Sequence, residues 1–95
     1  MADFNRITVL GTIKAEPVKE QTKNGLDVLS FVLENKNEKS GGRPDEINVF
    51  NVSVYGNQVD KFSPFIMKDE RVLVEGRLTL AKDIKIIAST VVSLR

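Results

Sequence analysis

Residues 47–67 read INVFNVSVYGNQVDKFSPFIM, and the change of period inside this stretch decides the fold. Over 47–55 the pattern has a period of two: Phe50, Val52 and Val54 share one face, while Val49, Asn51, Ser53 and Tyr55 share the other. That is a strand with one face toward a core. Its opposite face carries amide, hydroxyl and phenol groups, which suits a wet contact surface. Gly56-Asn57 stops the strand. Over 58–67 Val59, Phe62 and Phe65/Ile66 then recur at three- and four-residue spacing, predicting the one helix of the chain. Pro64 falls inside it, so the helix must be short or broken. Phe31, Phe50, Phe62 and Phe65 occupy apolar periodic positions and are expected in the core, whereas Phe4 precedes the first strand and fits core, interface or surface.

Strands flank this unit on both sides. Residues 7–10 are β-branched and apolar, Gly11 marks a bulge or bend, and Thr12-Ile13 resumes the pattern. After Pro17, residues 18–22 lead into Lys23-Asn24-Gly25, a hairpin signal because both turn residues tolerate positive φ. Residues 26–33 return. The polar stretch 35–44 (NKNEKSGGRP) predicts a long mobile loop with no strand, of a kind that tends to be functional. Beyond the helix, Lys68-Asp69-Glu70 turns into a strand over 71–80 with Gly76 as a second bend. Ala81-Lys82-Asp83 then connects to a last strand over 84–94. Three strands, a short helix and two strands is the order of an all-β, five-stranded Greek-key barrel of the OB type, with the helix between strands three and four. One such domain over 1–95 is expected.

Composition narrows the chemistry. The 95 residues include no His, Cys or Trp, five Phe and one Tyr, and 14 basic against 13 acidic residues. This excludes thiolate and imidazole zinc sites, a Cys nucleophile, a Ser-His-Asp triad and disulfides. No Gly-rich phosphate loop occurs, because Gly41-Gly42 lacks the Lys-Ser/Thr that must follow. The acidic pairs Asp45-Glu46 and Asp69-Glu70 read as solvated turns, so neither catalysis, a cofactor nor a metal is expected. The apolar runs are too short to span a bilayer and no signal peptide opens the chain, so a soluble cytoplasmic domain with no membrane partner is expected.

A net charge of +1 gives no global pull toward nucleic acid, so such a partner must rest on local features. Residues 71–95 hold five basic residues against two acidic. Around the long loop Lys36, Lys39 and Arg43 are offset by Glu34, Glu38, Asp45 and Glu46. The loop is therefore either a solvated segment or one that folds over a strand and presents only its cations. Tyr55 has two readings also: a strand-end core aromatic, or a platform on which a base stacks for about 1–3 kcal/mol. The polar company on its face favours the platform. The first strand is apolar on both faces, which suits pairing with another subunit or burial on both sides within one chain.

Four stretches resemble bacterial single-stranded DNA-binding proteins. Asn5-Arg6-Ile7-Thr8-Val9-Leu10-Gly11 looks like their opening strand, and Thr22-Lys23-Asn24-Gly25 with Ser30-Phe31-Val32-Leu33 like their second hairpin. Residues 50–58 (FNVSVYGNQ) are similar to their third strand, and 72–78 (VLVEGRL) to the strand after the helix. The resemblance implies an OB-fold binder of single-stranded DNA acting in replication, recombination or repair, usually a homotetramer, with stacking carried onto Tyr55. It implies polar and phosphate contacts from Arg6, Thr12, Lys36, Lys39, Arg43, Asn51, Ser53, Arg77, Lys82 and Lys85.

The chain also departs from that family. Val49 and the region of Lys39 stand where its members carry Trp, and residues 81–83 stand where it often has a long basic hairpin. No Gly follows Lys68, so Asp69 must take a left-handed turn less readily. No acidic recruitment tail precedes Arg95, so replication proteins are expected as partners only by another route. Gly11-Thr12 and Phe31-Val32-Leu33-Glu34 also resemble primosomal replication protein N, a dimeric component of replication restart. A third alternative is an OB module that binds protein without nucleic acid.

Overall fold

In the computed structural model, which describes residues 3–80 and 83–94, the strands close on themselves. The elements are β1 (Ile7–Ile13), β2 (Val18–Gln21), β3 (Asp27–Asn37), β4 (Glu46–Tyr55), α1 (Asn57–Phe62), a 3-10 turn (Ser63–Phe65), β5 (Arg71–Thr79) and β6 (Lys85–Ser93). Strand order β1-β5-β6-β4-β3 returns to β1 through Thr12↔Glu34 and Ile13↔Leu33. This is the closed five-stranded barrel expected from the strand order, with β2 added outside it along β3. The β4–β6 pairing is parallel (Asn51↔Lys85, Val52↔Ile86, Ser53↔Ile87) and the other ladders are antiparallel.

Closure depends on two glycines. At Gly11 an added Cβ would collide with the Glu34 carbonyl oxygen where β1 crosses onto β3. At Gly76 it would collide with the Ile87 carbonyl oxygen, beside the register shift at Glu75/Gly76. A backbone without Cβ is what lets neighbouring strands approach this closely at the corners of a small barrel. Inward positions fill the interior, with Ile13, Leu33, Val52, Val54, Val72, Val74 and Ile86 fully buried. Such side chains each contribute about 1.5–3 kcal/mol by leaving water.

The helix is short and broken. It runs six residues, Pro64 turns the chain into the 3-10 geometry, and Val59, Phe62 and Ile66 close one end of the core. Phe65 is 43% exposed, contrary to expectation, because the tighter 3-10 turn rotates Ile66 inward in its place. Phe50 is half-buried against the core, while Phe31 and Phe62 are buried. Asp69 adopts φ +73° and donates its N–H to the Ile13 carbonyl at 2.7 Å, the left-handed turn anticipated after Lys68.

Two loops differ from the sequence reading. The hairpin between β2 and β3 spans residues 22–26, with positive φ at Gly25 but not at Asn24. Thr22 braces it, its hydroxyl accepting from the Leu26 N–H at 3.1 Å and its carbonyl from the Gly25 N–H at 2.9 Å. The stretch 35–44 is in part strand, since the β3–β4 ladder runs on to Asn37↔Glu46. Amides replace the missing apolar residues there. Asn35 Nδ2 donates to the Leu10 carbonyl at 3.0 Å, and the Asn37 and Asn48 amides both donate to Asn35 Oδ1. No helix among the described residues is long and apolar enough to cross a membrane.

Candidate nucleic-acid interface

Alternation along β3 and β4 sends Leu29, Phe31, Leu33, Val52 and Val54 inward. The opposite face is left with the cross-strand pairs Val28↔Tyr55, Ser30↔Ser53, Val32↔Asn51 and Glu34↔Val49. Opposed residues on such a ladder lie about 5 Å apart, so this is one continuous surface. β2 sets Val18 beside Ser30, and β6 sets Lys85 beside Asn51 and Ile87 beside Ser53. The residues before β2 and the start of β6 bound a groove of about 390 Å³ across this face, with Glu16, Asp83 and Lys85 at its walls.

Tyr55 belongs to the outer face and is half-buried, as the alternation requires. Its hydroxyl accepts a hydrogen bond from Lys85 Nζ at 3.0 Å, and the same nitrogen lies 5.7 Å from the ring centre. The ammonium therefore sits by the hydroxyl rather than close over the ring face, near the outer limit of a cation–π contact. Asn51 is exposed in the groove. Ser53 lies between Asn51 and Tyr55 on the ladder, so the Lys85–Tyr55 link passes across it. It is only 5% exposed, and its hydroxyl is 3.3 Å from that of Ser30. The hydroxyl expected on a wet surface at Ser53 is thus one of a cross-strand pair in the wall of the groove, with little area of its own exposed.

The remaining candidates fall in other places. Lys36 pairs with Asp45 at 3.3 Å and Lys39 with Glu46 at 3.1 Å, while Arg43 Nε donates to the Ser40 carbonyl at 3.3 Å. Lys36 and Lys39 are thus each paired with a carboxylate near this loop, while Arg43 is held by a backbone carbonyl. Thr12 accepts from Arg71 Nη1 at 3.2 Å, in a small hollow shared with Leu10 and Lys36. Arg6 is held 2.7 Å from Glu75, whose hydrogen bond and charge raise the guanidinium pKa above its ordinary value. Arg77 is exposed and makes no ion pair among the described residues. Lys82 lies outside the described residues. Asn51, Ser53, Tyr55 and Lys85 are therefore brought together, Arg6 and Arg77 line a separate hollow, and the loop cations stand apart.

Sequence reasoning missed the groove walls, Glu16 and Asp83, because nothing in the local pattern of a loop residue shows which cleft it borders. It also passed over Asn5 as a structural residue. Its amide donates to the Leu78 carbonyl at 2.7 Å and its Oδ1 accepts from the Leu78 N–H at 3.0 Å, extending the β1–β5 ladder by a side chain. A lone amide just before a β-branched run is the signal that was available.

A closed five-stranded barrel with a helix at one end and a groove across its β3–β4 face defines the OB class, which takes extended oligomers on this face. Within that class the family is settled by sequence. Residues 4–85 match the single-strand binding protein family, and the chain belongs to that family. It is 31% identical over 80 residues to the single-stranded DNA-binding protein of Treponema pallidum (strain Nichols), covering 82% of this chain and 46% of that one. It is likewise 31% identical over 82 residues to the single-stranded DNA-binding protein of Aquifex aeolicus (strain VF5), covering 83% of this chain and 56% of that one. The chain thus spans about half the length of the curated relatives it matches. In fold it resembles the Plasmodium falciparum SSB solved in complex with ssDNA (TM-score 0.82, 22% identity, 100% of this chain and 98% of that one). It also resembles priB of Ralstonia solanacearum (TM-score 0.77, 13% identity, 96% of this chain and 99% of that one).

Proposed function

We propose that the protein is a binder, not a catalyst, and that it holds single-stranded DNA without sequence preference. The observation that carries this reading is Tyr55 on the outer face of β4, at the end of a row with Asn51 and tied to the cation Lys85. A base stacked on an aromatic gains free energy whatever its identity, and an adjacent ammonium serves the phosphate that follows it. The names of the relatives point the same way. Bases lie along β3 and β4 while Lys85, Arg77 and Lys82 follow the backbone. Arg6, Lys36 and Lys39 join only by giving up a carboxylate.

With about two to three phosphates neutralised per chain, log K falls against log salt with a slope near −1.4 to −2.1, by the single-strand coefficient. Titrating oligothymidylate against the fluorescence of Tyr55, the only Tyr in a chain without Trp, at two salt concentrations tests this. Equal affinity for single- and double-stranded DNA sinks the stacking mechanism.

The protein works as a homo-oligomer in the cytoplasm, protecting strands exposed during replication, recombination or repair. An outward row of Leu10, Leu73 and Val92 across β1, β5 and β6 supports self-association. So does the edge of β1 facing β3, where the ladder joins only Thr12 and Ile13. Light scattering across protein concentration separates a tetramer from the dimer expected of a primosomal replication protein N-like role, and a persistent monomer contradicts both.

A further inference from the structure

A second hollow of about 430 Å³ lies on the far side of β6 from the groove, between the segment preceding β1 and the middle of β5. Phe4 stands at its edge and is 87% exposed. A single exposed apolar residue is ordinary on a protein surface. Here, however, the chain that carries it is anchored at the next two residues. Asn5 clasps the Leu78 backbone through both atoms of its amide, and Arg6 is anchored on Glu75. The chain leading into β1 is therefore held against β5, and Phe4 has a defined position beside the hollow. Arg6 and Glu75 cancel, so Arg77, which has no ion pair among the described residues, leaves the lining with a net positive charge.

The two depressions both border β6. Lys85 lines the groove and Ile87, two residues on along β6, lines the hollow, with Arg77 opposite Ile87 on β5. From β4 over β6 to β5 is two strand spacings, about 10 Å. Stacked nucleotides advance about 3.4 Å each, so about three of them cross this distance.

We infer that the nucleic-acid path does not end at the groove but crosses β6 into this hollow, where Phe4 stacks a base and Arg77 takes the adjoining phosphate. The inference rests on the proposed binding of single-stranded DNA and adds a second contact site to it. A second copy of the chain is the less fitting occupant. The apolar row suited to self-contact, Leu10, Leu73 and Val92, lies farther along the sheet and does not line the hollow, whose nearest lining residue on β5 is Glu75. An aromatic beside the Arg77 guanidinium matches a base and a phosphate instead.

The test measures anisotropy of labelled oligothymidylates of about 5 and about 15 nucleotides, lengths at the two ends of what one OB barrel covers. It uses the unaltered protein, Phe4→Ala and Arg77→Met. Phe4→Ala is expected to bind the longer strand about five- to tenfold more weakly and the shorter one as before, because the groove alone holds the shorter strand. Arg77→Met is expected to flatten the salt slope for the longer strand by about 0.7. Phe4→Ala that binds both lengths normally, or weakens both equally, overturns the inference while leaving the groove intact. A change in oligomeric state of Phe4→Ala by light scattering overturns it in favour of a second copy. If the unaltered protein binds neither oligonucleotide, the binding function itself falls, and the inference with it.

Discussion

The two ends of the β3–β4 ladder carry cations of similar number and opposite availability. At the outer end, Lys36 and Lys39 face Asp45 and Glu46 and are neutralised within the hairpin. At the inner end, Lys85 reaches a phenol instead of a carboxylate, and Arg77 lies beyond it across β6 without an acidic partner among the described residues. What the difference teaches is that a residue's charge becomes a binding feature only if the fold leaves it unspent. In the ribbon at 35–37 the strands are joined from their sides by amides, and the neighbouring cations are occupied by carboxylates. The barrel wall near Tyr55 already has a core behind it, so its outer side chains are released for other contacts.

Replacing the aromatic at the inner end tests this comparison most severely. Tyr55→Ala is expected to weaken binding of oligothymidylate by about 1–3 kcal/mol with an unchanged salt slope, read by anisotropy at several salt concentrations. An unchanged affinity would remove the inner end from the interface. Lys85→Met is expected to act next most strongly, flattening the slope by about 0.7 while altering the Tyr55 emission of the free protein, since its hydroxyl loses a donor. A slope identical to that of the unaltered protein would mean that the ammonium serves only to hold the ring. At the outer end the sign of the expected effect is reversed. Asp45→Asn with Glu46→Gln frees Lys36 and Lys39, so affinity at low salt should rise and the slope steepen by up to about 1.4. Thermal unfolding should move little, because exposed ion pairs contribute only about 0–1 kcal/mol each. Tighter binding with a steeper slope would establish the hairpin as a masked cationic arm, and no change would confine the interface to the barrel wall.

How much was legible follows the reach of each interaction along the chain. The alternation at 49–55 correctly placed Val52 and Val54 inward and Tyr55 outward, because a strand's two faces are set by neighbours two residues away. Pro64 correctly predicted a broken helix, yet Phe65 went to the surface, since a 3-10 turn advances side chains by a different angle from an α-helix. The polar ribbon at 35–37 was read as loop because period-two reading depends on apolar residues, and here amides bond the strands from their sides. Ser53 lies on its expected face and lines the groove, but it is only 5% exposed. The residues that cover it come from β3 and β6, and no local pattern reports them.

By itself the sequence determined the barrel: strand periodicity, the corner glycines at 11 and 76, and one interrupted helix are all decided within a few residues of backbone. Only the tertiary structure decided which charges remain free. Arg6 and Glu75, or Lys85 and Tyr55, are remote along the chain and meet solely because the ladders bring them into register. Attraction between charges depends on distance in space, and a near-neutral composition is compatible with every assignment of partners.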